Sequence, residues 1–132
     1  MNLDVALEEV IPHPVEAVWG ALTDGAAISE WLMPSGDFHP LVGTHFRLKT
    51  GRLSPTGWIE AELIELDPPR RMVWAWSPGE GAVPTTVTFE LAPEGAGTRL
   101  TLTHTGEIDP DIGGRLTEGW PTRIELLRRS LD

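Results

Sequence analysis

No cysteine and no tyrosine occur anywhere in this chain. Without cysteine there is no disulfide framework, no thiol nucleophile and no cysteine-based zinc site. Lysine occurs once, at Lys49, and ten basic residues face twenty acidic ones for a formal net charge of −10. That balance opposes nucleic-acid binding, which relies on clustered Lys and Arg against phosphate. Only Arg70-Arg71 and Arg128-Arg129 are adjacent basic pairs. No apolar run approaches the length of a membrane span. The first residues, Met1 to Asp4, lack a basic stretch followed by an apolar one, so no signal peptide is read and a cytoplasmic location is the default. The four histidines, His13, His39, His45 and His104, form no close pair at helical or strand spacing, so no metal is expected. No G-x-S-x-G string and no glycine-rich phosphate loop occur, and no cofactor is expected.

Against these absences stand six tryptophans: Trp19, Trp31, Trp58, Trp74, Trp76 and Trp120. Each indole brings a large apolar area and one N–H that needs a partner. Six in 132 residues implies either a heavily aromatic core or a cavity walled by indoles. The length suits one domain, residues 1–132, able to build a core without cross-links.

Residues 3–11 alternate as a half-buried strand. Pro14 starts a helix in which Val15, Val18, Trp19 and Leu22 recur at helical spacing, and Thr23-Asp24-Gly25 ends it. A second short helix over about 25–32 carries Ile28, Trp31 and Leu32. Phe38 belongs to a short edge strand. From Gly43 to residue 106 the pattern is strands and turns. Phe46 and Leu48 share one face of their strand. Trp58 to Leu66 is a strand of mixed parity: Ile59, Ala61 and Leu63 on one side, Trp58, Ile64 and Leu66 on the other. A bulge near 60–63, or burial on both faces, accounts for this. Met72, Trp74 and Trp76 share a face, residues 77–84 form a loop, and two more alternating strands carry Phe89, Leu102 and His104. Asp109-Pro110 then opens a helix. Its apolar face is Ile112, Leu116, Trp120, Ile124, Leu127 and Leu131. Gly113-Gly114 weakens that helix, and Pro121 forfeits the bond to the Thr117 carbonyl and bends it near 117–121. The class is α+β: one strand, two short helices, a run of antiparallel strands and one long helix covering the sheet.

Several strings carry a resemblance across nearly the whole chain. They are Ile11-Pro12-His13-Pro14-Val15-Glu16-Ala17-Val18-Trp19 with Ala21-Leu22-Thr23-Asp24, then Ile28-Ser29-Glu30-Trp31. Further on come Gly57 with Glu62 and Glu65, the turn Asp67-Pro68-Pro69-Arg70-Arg71, and Val73-Trp74-Ala75-Trp76. Thr98 to Gly106 and Gly119-Trp120 complete the set. Together they resemble the START-like (SRPBCC) superfamily, in its bacterial branch related to the Hsp90 ATPase activator homologues (AHSA1-like). The resemblance implies a helix-grip fold, a curved antiparallel sheet of six or seven strands around the long C-terminal helix, with a cavity between.

The expected cavity wall is Trp31, Phe46, Leu48, Trp58, Trp74, Trp76, Phe89, Leu102, His104, Trp120 and Ile124, the side chains sharing the helix-facing parity. The expected function is binding of a small hydrophobic or amphipathic molecule, without catalysis, since no coherent catalytic set accompanies His104. Trp31 reads equally as a lid residue or a core anchor. His104 reads as a satisfied histidine near a strand end, or as a polar contact or general base in the pocket. Glu60 and Glu62 share parity with Trp58 and are read as turned outward to solvent. The alternatives are a cyclase- or hydrolase-type enzyme in the same pocket, and a protein-interaction module with an Hsp90-type chaperone partner. A homodimer is a further option.

Overall fold

A computed structural model describes residues 1–79 and 82–132. Strand β1 (Asn2–Ile11) leads into helix α1 (Val15–Thr23) and helix α2 (Gly25–Trp31). A two-residue strand, β2 (Ser35–Gly36), precedes β3 (His45–Lys49), β4 (Trp58–Asp67), β5 (Arg71–Ser77), β6 (Thr85–Glu94) and β7 (Gly97–Glu107). Helix α3 (Pro110–Leu131) closes the chain. The seven strands form one antiparallel sheet in the order β1-β7-β6-β5-β4-β3-β2. This is the helix-grip architecture. The short edge strand is Ser35–Gly36, and Phe38 lies just beyond it as a buried core residue. The expected loop over 77–84 falls partly outside the described residues.

Alternation decides which face of the sheet is dry. Val87 and Phe89 of β6 and Leu100 and Leu102 of β7 point inward and are almost fully buried. The intervening positions carry the outer ion pairs, such as Arg71 with Glu65 and Glu90, each at 3.1 Å. Mixed parity in β4 has a single cause. Its register with β5 shifts between Leu63 and Glu65, so Ile64 is the extra residue of a bulge and lies exposed. The bulge thus sits one residue beyond the expected stretch. Before it, Ile59, Ala61 and Leu63 face inward. After it the parity inverts, and Leu66 packs against the core opposite Met72.

Helix α3 is one element from Pro110 to Leu131 with Pro121 inside it. The Asp109 carboxylate accepts from the backbone N–H groups of Asp111 and Ile112, at 3.1 and 3.2 Å, capping the first turn. Gly113, Leu116, Trp120, Ile124 and Leu127 form its buried stripe. Gly113 has a packing reason: a Cβ there would lie 2.7 Å from Met1 Sδ and 3.0 Å from Ile108 Cγ2.

Candidate functional site

Between the sheet and α3 the aromatic side chains pack on one another. Trp74 meets Phe89 at 4.8 Å between ring centroids and Phe46 at 5.1 Å, both edge to face. Phe89 also meets Trp31 at 6.3 Å, and Trp76 lies 5.8 Å from Trp120. These are the offset geometries that aromatic quadrupoles favour. Trp31 donates its indole N–H to the Ala21 carbonyl at 2.9 Å, so it anchors α2 to α1 from within the core.

His104 is fully buried at the same seam. Trp120 Nε1–H donates to His104 Nδ1 at 3.0 Å. A ring nitrogen that accepts carries no proton, so the proton of the neutral imidazole is on Nε2. Nε2 then donates to Thr85 Oγ1 at 2.7 Å, and that hydroxyl donates to the Trp76 carbonyl at 3.0 Å. Donors and acceptors run one way from the Trp120 indole through His104 and Thr85 to the Trp76 carbonyl. Burial pushes the imidazole down from its ordinary 6.5 to about 4, so it is neutral at pH 7. Gly106 makes room for this relay. Its φ is +137°, and a Cβ there would lie 2.9 Å from Thr85 Cγ2.

Open space lies to one side of this packed seam. A cleft of about 420 Å³ is bounded by the end of α2, the β3–β4 loop, Trp76 of β5 and the middle of α3. Leu32, Met33, Leu53, Trp76, Leu116 and Trp120 give it apolar walls. Gly119 opens it: nothing lies within 4 Å of where its Cβ would be. A glycine inside a helix costs about 1 kcal/mol relative to alanine, and here no close neighbour demands it. Trp76 adds a buried indole N–H without a hydrogen-bond partner, as does Trp74 deeper in the core. The polar lining is Ser29, Glu30, Lys49, Thr50, Arg52, Arg115 and Arg123. Arg115 ties the loop to the helix by donating from Nη1 to the Arg52 carbonyl at 2.6 Å.

Several expected wall residues stand elsewhere. Trp76 and Trp120 line the cleft. Trp31, Phe46, Leu48, Trp74, Phe89, Leu102, His104 and Ile124 are buried side chains outside its lining, because they fill the seam with one another rather than prop it open. Trp58 is on the opposite face. It precedes the bulge on the parity of Glu60, and the Arg47 guanidinium stacks 4.3 Å from its ring centroid. Glu60 and Glu62 share that outer face, Glu60 bonded to Arg47 at 2.8 Å and Glu62 lying 3.7 Å from His45. Leu32, Met33, Leu53, Leu116, Gly119 and the four cations were not among the expected wall residues. Gly119 beside Trp120 was the one available signal, a helix-weakening residue on the edge of an apolar stripe.

The family described as "Activator of Hsp90 ATPase homolog 1-like protein" matches residues 12–132. The chain belongs to this family. Its structure is similar to that of a protein from Mesorhizobium loti, 31% identical, with a TM-score of 0.84 over 98% of this chain and 96% of that one. CalU16 from Micromonospora echinospora is 25% identical, with a TM-score of 0.78 over 99% of this chain and 77% of its own. The Aha1 dimer from Colwellia psychrerythraea shares the fold, at 17% identity and a TM-score of 0.83 over 98% of this chain and 96% of that one. No curated protein matches the chain. Among the described residues, no helix is long and apolar enough to cross a membrane.

Proposed function

We propose that this protein binds a small molecule with an apolar body in the cleft beside Trp76 and Trp120. The observation that carries the reading is the gap beside Gly119 on the α3 wall, next to the apolar side chains of Leu32, Met33, Leu53, Trp76, Leu116 and Trp120. A volume of about 420 Å³ falls within the range of small-molecule sites. Binding without chemistry is the favoured mode. Both nitrogens of His104 are engaged within the core, and the residue stands outside the cleft lining, so it has no free lone pair to act as a base. Membership of a family named for an Hsp90 activator supplies no contact surface for a chaperone here, and the small-molecule reading stands on the cleft alone.

The test uses phenylnaphthylamine, a neutral apolar fluorophore. Its emission is expected to rise on titration into the protein. Gly119→Leu, which places an isobutyl group in the gap, is expected to abolish the rise while circular dichroism stays unchanged. An unchanged titration in a folded Gly119→Leu protein would overturn the reading.

A further inference from the structure

Charge pairing over the molecule is uneven. Arg47, Arg70, Arg71, Arg99, Arg128 and Arg129 each have a carboxylate within 4 Å, and Arg71, Arg99 and Arg128 have two. The chain has ten basic residues. The other four are Lys49, Arg52, Arg115 and Arg123, and all four line the cleft. Among the described residues, none of these four has a carboxylate within ion-pair distance. Glu30 is the one acidic residue in the same lining. Arg52 and Arg115 also border a neighbouring, more open depression of about 830 Å³ lined by Glu107, Asp109 and Asp111 as well, yet among the described residues no carboxylate there comes within 4 Å of either guanidinium.

In a chain with twice as many acids as bases, this distribution is not what surface pairing produces. Four like charges around one concavity repel one another and focus a positive potential into it. Three are guanidinium forks, suited to a planar two-oxygen anion. Arg115 is held in place by its bond to the Arg52 carbonyl.

We propose that the ligand is an amphipathic anion, with an aryl or alkyl body against Trp76 and Trp120 and a carboxylate among the Arg52, Arg115, Arg123 and Lys49 side chains. This rests on the cleft-binding reading and adds the charge and polarity of its ligand. The apolar wall supplies contact area, and the cations select for charge and speed the encounter of an anion with an otherwise acidic protein.

The test compares two probes of nearly identical shape by calorimetry on the full chain: naphthylacetate and its neutral amide, naphthylacetamide. The carboxylate is expected to bind roughly five- to tenfold more tightly at low salt. That advantage is expected to shrink between ~0.05 and ~0.5 M salt while the amide's affinity holds. In the double variant Arg52→Gln, Arg123→Gln, the advantage is expected to vanish and amide binding to remain. Inorganic phosphate is expected not to compete. Equal affinity of the two probes at low salt overturns the anionic inference and leaves cleft binding standing, as does an advantage that survives the double variant. Displacement of naphthylacetate by phosphate alone overturns the amphipathic part. Absence of binding by both probes, or binding unchanged by Gly119→Leu, overturns the cleft reading and the inference with it.

Discussion

The indole N–H of Trp120 donates to Nδ1 of His104 at 3.0 Å, and this contact joins α3 to β7 through a histidine that must stay neutral. A protonated ring would present a second N–H to the indole N–H, donor against donor, inside a dry seam. Stability is therefore linked to pH through one buried side chain.

Unfolded histidine binds its proton near 6.5, whereas folded His104 does so only near 4. Between those values the unfolded state carries more protons, so stability falls as pH falls. The contribution is fully present above about 6.5 and is lost progressively down to about 4, a total of roughly 3 kcal/mol. Urea unfolding at several pH values is expected to show this slope in the wild type. In His104→Gln it is expected to be much shallower, with lower stability at pH 7. Parallel slopes in the two proteins would contradict the assignment.

Thr85→Val removes the hydroxyl while keeping the shape. It leaves the His104 Nε2–H without its partner and removes the hydroxyl's bond to the Trp76 carbonyl, and is expected to cost about 1–3 kcal/mol. Thr85→Ser retains the hydroxyl and is expected to lose less. Gly106→Ala is expected to match or exceed the valine variant, because its methyl collides with Thr85 and its backbone is strained. Denaturant midpoints of the three variants give the ranking.

Gly119→Ala separates stability from binding. With nothing near the new methyl, gain of helix propensity is expected to stabilise the protein by about 1 kcal/mol. The same methyl narrows the cleft, so phenylnaphthylamine affinity is expected to drop, and to drop further in Gly119→Leu. A variant that gains stability and keeps full affinity would place the ligand elsewhere.

Two strand tryptophans are expected to behave very differently. Trp74→Ala empties the centre of the aromatic core and is expected to cost about 3–5 kcal/mol. Trp58→Ala forfeits half-exposed area and a cation–π contact with Arg47 worth about 0.5–1 kcal/mol at an open site. Thermal melts of both variants, read by circular dichroism, measure the contrast.

Most of the fold was legible in the sequence, because period-two and helical apolar patterns report directly on which face is buried. Leu100, Leu102 and His104 were correctly given one inward face, and the stripe from Leu116 to Leu127 lies where its spacing placed it. Trp58 was misplaced because parity within one strand is relative. Only the register with β5 shows that Ile64 is the extra residue and that the parity inverts there. The cavity was the least legible feature. Shared inward parity identifies residues that meet, but whether they leave a gap depends on how closely large rings interlock. The cleft is assembled from α2, the β3–β4 loop, Trp76 of β5 and α3, far apart in sequence, with Gly119 on its helix wall. Unpaired cations were equally hidden, since pairing across strands is a property of register.

The strand order also sets a timetable for synthesis. Strand β1 pairs only with β7, Asn2 opposite Glu107 and Ile11 opposite Thr98. At typical elongation rates the ribosome needs roughly 5–20 s to supply that partner. Throughout that interval Leu3, Val5 and Ile11 have no sheet to join, while the hairpins from β3 to β6 can form locally as they emerge. The nascent chain thus carries an apolar, unmated β1 until β7 has been made, and quenching of that strand by α3 comes later still.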